Sequence, residues 1–302
     1  MRVIVTGGTG LIGRALARGL STDGHEVIVL SRRAQASERR AGGAQVVGWD
    51  ARTTAGWGSW VDGADAVVNL AGENIGGGLW TAAHKRRIME SRILAGQAVV
   101  QAIEQAAHRP RVLVQASGIG YYGRRGDETL TESDAPGSDW LAQVAVAWEA
   151  CTQSLEALGV RRAVIRTAGV LDSREGFLPR MLLPFRLFIG GPLGGGRQWL
   201  PWIHLADEVG AIRFLIDHPQ AAGAFNLAAP DAVRNADFGR ALGRVLGRPS
   251  FMPAPALALR LALGELAGLI LEGQRAVPRR LTELGFTFRF PDLEPALRDV
   301  LK

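Results

Sequence analysis

Cysteine, lysine and tyrosine are almost absent from this 302-residue chain. The single cysteine, Cys151, excludes an intramolecular disulfide and a cysteine-built metal site, and a cytoplasmic location is the simplest setting for such a sequence. Lysine occurs only at Lys85 and Lys302, so nearly all of the 35 basic residues are arginine. The net charge of +6 and pI near 10.5 would permit nucleic-acid binding. The arginines, however, are spread along the whole chain instead of gathered in one segment, and no nucleic-acid partner is expected. Long apolar runs are also missing. The most apolar late stretch, 255–271, contains Arg260 and Glu265 and is too short between charges to span a bilayer, so it reads as a packed helix and no membrane partner is expected. The N-terminus lacks the basic region, apolar stretch and cleavage site of a signal peptide. No group of His, Cys, Asp and Glu has metal-ligand spacing, and no metal is expected.

What is present is a globular composition, 47% hydrophobic and 21% charged, in a chain long enough for one large domain or two smaller ones. Strand-like runs recur at 3–6, 26–30, 45–49, 65–70, 111–117 and 163–167, with helical patterns between most of them, notably 81–107 and 139–158. Such alternation predicts an α/β fold with a doubly wound parallel sheet. After Val170 the texture changes: Pro179, Pro184, Pro192 and the glycines of 190–196 interrupt regularity. A strand and helix return at 202–216 and a strand at 223–228, followed by helices at 235–246 and 257–271, a short strand at 287–290 and a last helix at 293–301. The expected division is a nucleotide-binding domain at 1–171, re-entered at 202–228, and a smaller, mostly helical domain from 172–201 and 229–302.

The chain opens M-R-V-I-V-T-G-G-T-G-L-I-G-R-A-L. A buried strand, a bare turn and an amphipathic helix would need this pattern. Gly8, Gly10 and Gly13 form G-x-G-x-x-G, and Gly7, Gly10 and Gly13 form G-x-x-G-x-x-G; both registers fit a dinucleotide-binding turn. The first glycines permit the sharp turn, Gly10 lets backbone approach a pyrophosphate, and Gly13 lets helix meet strand. The helix N-terminus then offers free N–H groups and its positive dipole end. An NAD site usually places an acid at the end of the second strand. Here that place holds Ser31, Arg32 and Arg33, which suit the extra 2′-phosphate of NADP(H). The fourth strand ends N-L-A-G, and the small residues Ala71 and Gly72 would let a cofactor lie across the backbone.

Further motifs follow in order: the E-S-R of 90–92, S-G-I-G-Y-Y-G, L-L-P-F-R-L-F-I-G-G-P-L-G-G-G-R-Q-W, P-W-I-H-L-A-D and L-E-G-Q-R-A-V-P. With the glycine turn and N-L-A-G-E-N-I they cover nearly the whole chain. The set resembles the epimerase-family proteins of the atypical, extended short-chain dehydrogenase/reductase superfamily, which end in a small C-terminal domain of undefined role. The resemblance implies a Rossmann domain, a smaller substrate domain and bound NADP(H). It places Gly7, Gly10, Leu11, Ile12 and Gly13 at the pyrophosphate, Ser31 and Arg32 at the 2′-phosphate, Leu70 and Ala71 near the adenosine, and Arg92 and Val170 beside the cofactor.

Active members of that superfamily resemble one another in a Tyr-x-x-x-Lys pair, because an unperturbed phenol titrates near ~10 and needs a cation to act as a base at neutral pH. This chain lacks the pair. Its tyrosines are Tyr121 and Tyr122, neither lysine lies four residues beyond either, and the corresponding helix carries Leu141 and Ala145 at the two positions. Ser117, at the end of the fifth strand, occupies the place of the superfamily's serine. One of Tyr121 and Tyr122 is expected to replace the lost acid, helped by Arg124, Arg125 or the nicotinamide. His204 reads as structural, near a helix start capped by Asp207, and 190–196 with Arg197 reads as either a lip over a substrate or a surface loop. The favoured activity is hydride transfer on a small-molecule substrate by an oxidoreductase or epimerase-like enzyme; the other reading is an NADP(H)-binding regulatory protein without chemistry. A homodimer stays open.

Overall fold

Val3, Ile4 and Val5 have no solvent exposure, because β1 (Arg2–Thr6) lies mid-sheet and is covered on both faces. A strand buried on two sides needs an uninterrupted apolar run and cannot alternate. The computed structural model describes residues 1–32, 38–39 and 43–302. After β1 come α1 (Leu11–Thr22), β2 (Glu26–Ser31), the two-residue β3 (Glu38–Arg39), β4 (Gln45–Gly48), β5 (Ala66–Asn69), α2 (Ala82–Gln105), β6 (Val112–Gly118), β7 (Thr129–Leu130), α3 (Trp140–Ala150), β8 (Arg161–Thr167) and β9 (Gly169–Leu171). The remainder forms α4 (Leu178–Arg186), β10 (Trp202–His204), α5 (Leu205–Asp217), β11 (Gly223–Leu227), α6 (Asn235–Leu246), α7 (Ala256–Leu263), α8 (Gly268–Leu271), β12 (Arg275–Ala276), α9 (Arg279–Glu283) and α10 (Leu293–Val300).

The main sheet has the order β11-β8-β6-β5-β1-β2-β4-β3, parallel except for β3 at its edge. β2 and β4 follow β1 on one side, whereas β5 returns to its other side. That reversal opens a crevice at the carboxyl ends of β1 and β5, where doubly wound sheets bind ligands. One face carries Val3, Val5, Val29 and Val114 against Leu16 and Leu20 of α1 and Ile212 of α5. The other packs Ile4, Ile28 and Leu113 against Ala95, Val99 and Ile103 of α2. A third core lies outside the sheet, where Leu182 and Phe185 of α4, Trp202, Phe238 of α6 and Leu297 of α10 surround the paired β9 and β10.

Four sequence expectations need correction. The helix expected over 139–158 stops at Ala150 and resumes as a 3-10 turn at Gln153–Leu158, ended by Gly159 at φ +77°. The helix expected over 257–271 breaks at Gly264, whose φ of +57° no continuing helix allows. Residues 287–290 form no strand, because the Asp207 carboxylate takes the N–H groups of Arg289 at 2.7 Å and Phe290 at 2.9 Å, where a strand would pair with another strand. Asp207 thus clasps the C-terminal segment, and the cap of α5 is His204, whose Nδ1 accepts from the Ala206 N–H at 3.1 Å.

Gly13 sits where α1 meets the turn, and a Cβ there would lie 2.5 Å from the Gly7 carbonyl oxygen. Gly13→Ala is therefore expected to destabilise the fold by about 1–3 kcal/mol, read as a lower urea midpoint at unchanged slope.

Candidate functional site

The glycine turn is built by close approach. Gly7 holds φ +64°, and a Cβ on it would come within 2.6 Å of the Leu70 carbonyl oxygen. Thr6 laces the same two strand ends: its hydroxyl donates to Asn69 Oδ1 at 2.6 Å and accepts from the N–H groups of Leu70 at 3.1 Å and Ala71 at 3.2 Å. Gly8 packs on Val29 of β2, whereas Gly10 is exposed, with only the Gly7 carbonyl within reach of an added Cβ. The two registers thereby separate into roles: Gly7 makes the turn, Gly8 and Gly13 permit packing, and Gly10 leaves the backbone open. Gly10 is also the N-cap of α1 and provides no side-chain cap, so the N–H groups of Leu11, Ile12 and Gly13 begin a helix without an internal acceptor.

At the end of β2, Ser31 is buried and Arg32 exposed, while Arg33 lies outside the described residues. Ala71 is buried and Gly72 exposed on the far side of β1. Against Gly72 lies the Arg92 guanidinium, 5% exposed, with Nη1 donating to the carbonyls of Glu73 at 3.0 Å and Ile88 at 2.9 Å. It stacks 4.6 Å from the Trp148 ring, and its Nε has no partner. Burial pulls its pKa down to about 10, opposed by the nearby Glu73 charge, so it stays cationic. Among the described residues no carboxylate pairs with it at ion-pair distance. A buried, incompletely partnered cation beside an uncapped helix start is an arrangement that fits a dinucleotide's phosphates and ribose. Val170 joins this rim from β9, since Gly176 sits between its carbonyl and the Leu11 side chain.

The sheet's other half holds the proposed chemistry. Ser117, 6% exposed at the end of β6, donates its hydroxyl proton to Glu149 Oε1 at 2.7 Å. Glu149, on α3, is gripped by Arg166 of β8, Nε to Oε1 at 2.9 Å and Nη2 to Oε2 at 3.0 Å. Burial weakens the hold of Arg166 on its proton, but the Glu149 carboxylate more than reverses this, so its pKa moves up. Arg166 also donates to the Tyr122 hydroxyl at 3.1 Å and lies 3.4 Å from the ring centre of Tyr121. Tyr122 has no exposure, its hydroxyl donates to Asn226 Oδ1 at 2.6 Å, and burial pushes its pKa up to about 12.

This corrects the expectation for Tyr122, whose phenol is held neutral inside the core. It also corrects the named helpers. Arg124 pairs with Glu272, and Arg125 donates to the carbonyls of Tyr122 and Ala135, so the guanidinium beside the tyrosines is Arg166. Tyr121 is half-buried on the same turn. Leu141 covers Gly120 and Ala145 is buried, so the helix position of the absent pair is filled with packing side chains. The 190–196 loop is bound down, with Gly194 N–H on the Ala254 carbonyl at 2.8 Å and Leu193 N–H on Asn235 Oδ1 at 2.8 Å.

Sequence reasoning missed Glu149 and Arg166 as a pair, and it missed Glu208. Their signal is a charge inside an apolar element: the R of A-V-I-R-T and the E of L-A-D-E-V-G-A-I must each be satisfied in the interior. Glu208 accepts from the Thr167 hydroxyl at 2.8 Å at the end of β8, and complete burial pushes it up to about 8.

A doubly wound sheet with a bare glycine turn at its switch point defines a dinucleotide-binding class of protein. The profile of the NAD dependent epimerase/dehydratase family matches residues 3–228, and that of a domain of unknown function, DUF1731, matches 254–300. The epimerase family protein YfhF of Bacillus subtilis (strain 168) is 38% identical over 302 residues, covering 100% of this chain and 98% of the relative. The crystal structure of human epimerase family protein SDR39U1 (isoform 2) with NADPH is 34% identical, covers 99% of both chains and superposes with a TM-score of 0.90. A nucleoside-diphosphate sugar epimerase from Corynebacterium glutamicum is 34% identical with a TM-score of 0.79, covering 99% of this chain and 58% of that one. The chain belongs to the NAD dependent epimerase/dehydratase family.

Two outcomes follow from the buried charges. Glu149→Ala leaves the Arg166 guanidinium buried without its carboxylate and is expected to cost about 3–5 kcal/mol in chemical unfolding, whereas Ser117→Ala is expected to cost far less. Glu208 has a folded pKa raised from 4.5 to about 8, so its neutral form stabilises fully below the unfolded value, and that contribution is lost as pH rises toward 8. Glu208→Gln should therefore flatten the fall in stability over that window and exceed the parent at its alkaline end, by a few kcal/mol on the order set by the shift, in unfolding curves taken across pH.

Proposed function

We propose that the chain binds NADP(H) across the carboxyl ends of β1, β2 and β5 and acts as an oxidoreductase or sugar-nucleotide-epimerase-like enzyme. The observation that carries the cofactor choice is the end of β2, where Ser31 and Arg32 stand in place of an acid. The human relative named with NADPH and the Corynebacterium relative named as a nucleoside-diphosphate sugar epimerase support the reading. Gly7, Gly10, Leu11, Ile12 and Gly13 would meet the pyrophosphate with main chain, Ser31 and Arg32 the 2′-phosphate, Leu70, Ala71 and Gly72 the adenosine side, and Arg92 and Val170 the remaining rim. The nicotinamide, when bound, supplies a hydride donor or acceptor.

The residues of this chain provide the proton chemistry. The proton of Ser117 is committed to Glu149, so the serine offers lone pairs to the crevice. It accepts from a substrate hydroxyl, and proton movement runs through Ser117 toward the Glu149 carboxylate, which Arg166 holds in place. Tyr121 borders the same space, its ring centre 3.4 Å from the Arg166 guanidinium. The second reading, an NADP(H)-responsive regulatory protein, draws on Leu141 and Ala145 standing where a tyrosine and a lysine would drive catalysis.

Intrinsic fluorescence offers the test, since Trp148 lies under Arg92. NADPH is expected to bind at least about tenfold more tightly than NADH, and Arg32→Ala to erase most of that difference while leaving NADH binding unchanged. Equal affinity for the two cofactors, or no response to either, would sink the proposal. A substrate screen following NADPH absorbance then separates enzyme from sensor.

A further inference from the structure

Two stretches of this chain contain no carboxylate. None of its 29 acidic residues falls between Glu175 and Asp207 or between Asp237 and Glu265, while arginines continue through both. The fold lays these stretches side by side. Phe251 and Met252 donate their N–H groups to the Gly190 carbonyl at 3.0 Å, and Ala254 donates to Pro192 at 2.9 Å. Around this seam large apolar side chains stand in solvent: Leu187 and Phe188 just past α4, Phe251 and Met252 on the seam, and Leu257 and Leu261 on one side of α7. α7 has no buried residue, and Leu261 is 81% exposed.

Phe188 gives this face its meaning. It holds φ +61° directly after a helix end, a position that favours glycine and strains a bulky aromatic. Its ring is 54% exposed and touches the Arg248 guanidinium at 4.3 Å, so core packing does not explain the strain. The left-handed turn at Phe188 ends α4, with the Ile189 N–H on the Pro184 carbonyl at 3.0 Å, and it leaves the phenyl ring in water.

Charge decides the occupant. Among the described residues, Arg186, Arg248 and Arg260 have no carboxylate at ion-pair distance. Apolar tips among unneutralised guanidiniums match an anionic bilayer, whose acyl boundary takes the rings and leucines while its phosphates take the cations. A second copy fits poorly, because a two-fold contact sets the patch against itself and brings arginine to arginine with no acid between them.

We infer that the face formed by the end of α4, the 251–254 seam and α7 docks on an anionic lipid surface. This departs from the sequence expectation of no membrane partner, which rested on the lack of a spanning segment. No helix among the described residues is long and apolar enough to cross a membrane, and surface docking needs none. Arg180, near the start of α4, donates to the Gly76 carbonyl at 2.9 Å, which ties the helix whose far end carries the docking face to the loop after β5.

Co-sedimentation of the full chain with vesicles is the test. Binding to equimolar phosphatidylcholine and phosphatidylglycerol is expected to exceed binding to phosphatidylcholine alone by about tenfold or more and to weaken with added salt. Phe188→Gly relieves the strained backbone, so it is expected to raise Tm and yet reduce vesicle binding about tenfold, with NADPH affinity unchanged as a control on folding. Leu257→Ser gives an independent loss at a site without strain. Equal sedimentation with both vesicles, no sedimentation, or intact binding by Phe188→Gly overturns the inference. So does light scattering that finds a dimer in the parent and a monomer in Phe188→Gly, which would assign the face to a second copy.

Discussion

The Arg166 guanidinium is a buried charge that three other segments must reach together. Placed one residue from the end of β8 and 4% exposed, it binds both oxygens of Glu149 on α3, the Tyr122 hydroxyl and the Glu132 carbonyl, and it covers the Tyr121 ring. Removing Glu149 would leave the cation without compensation in a low-dielectric interior, a far larger penalty than the loss of one surface contact. The network also extends outward. The Glu132 carboxylate takes the N–H groups of Asn226 on β11 and Arg280 on α9, and Asn226 receives the proton of Tyr122. With the parallel pairing of β12 and β7, these bonds fasten the C-terminal segment onto the half of the sheet that carries the candidate chemistry. The late residues are therefore part of what holds the crevice in shape.

The seven longer strands and the helices between them were legible because burial on two faces demands unbroken apolar runs, and those runs stand out in the bare sequence. Of the very short strands only β10 was, as the start of the strand and helix expected over 202–216. β7, β9 and β12 span two or three residues each, too few for any periodicity, and exist because a partner strand lies alongside. Helix breaks at Gly264 and after Ala150 were hidden for a related reason: the apolar pattern continues through both, and only the backbone angle at one glycine or the packing of one turn ends the helix. At 287–290 the apolar alternation was real, but Asp207, 82 residues before Arg289 and beyond the reach of local sequence patterns, took the N–H groups that a sheet would have used.

The glycine turn was readable for the opposite reason. Each of its glycines answers a local steric demand made by residues close in sequence or by the neighbouring strand end, as the contacts of Gly7, Gly8 and Gly13 bear out. The Ser117 position was readable as the end of a buried strand. Its partner was not, because Glu149 and Arg166 are related by no period and meet only when α3 lies over β6 and β8. Tyr121 and Tyr122, adjacent in sequence, end in opposite settings: the 3-10 turn at Ile119–Tyr122 sends one ring under Arg166 at the margin and the other into the core. Adjacency gave no hint of that division.

The abundance of arginine, which weakens any inference from one arginine in the sequence, resolves once each is asked what faces it. Arg161 donates to the carbonyls of Leu215 at 2.8 Å, Ile216 at 2.7 Å and Ala221 at 2.6 Å, closing the C-terminal end of α5 where unpaired carbonyls and the negative dipole end collect. Arg280 binds the carbonyls of Ala222 and Ala224 at 2.7 Å, beside β11. A lysine ammonium, a compact point charge on a flexible stem, could not span such sets of acceptors as a planar fork does. In these places arginine is a multidentate backbone clamp, and its charge is incidental to a partner. Arg92, whose Nε remains unmatched beside the glycine turn, and the cations around Phe188, which face no carboxylate, differ among the described residues. Composition cannot separate the two kinds, since both are written with the same letter; what separates them is whether the folded chain itself supplies the acceptor.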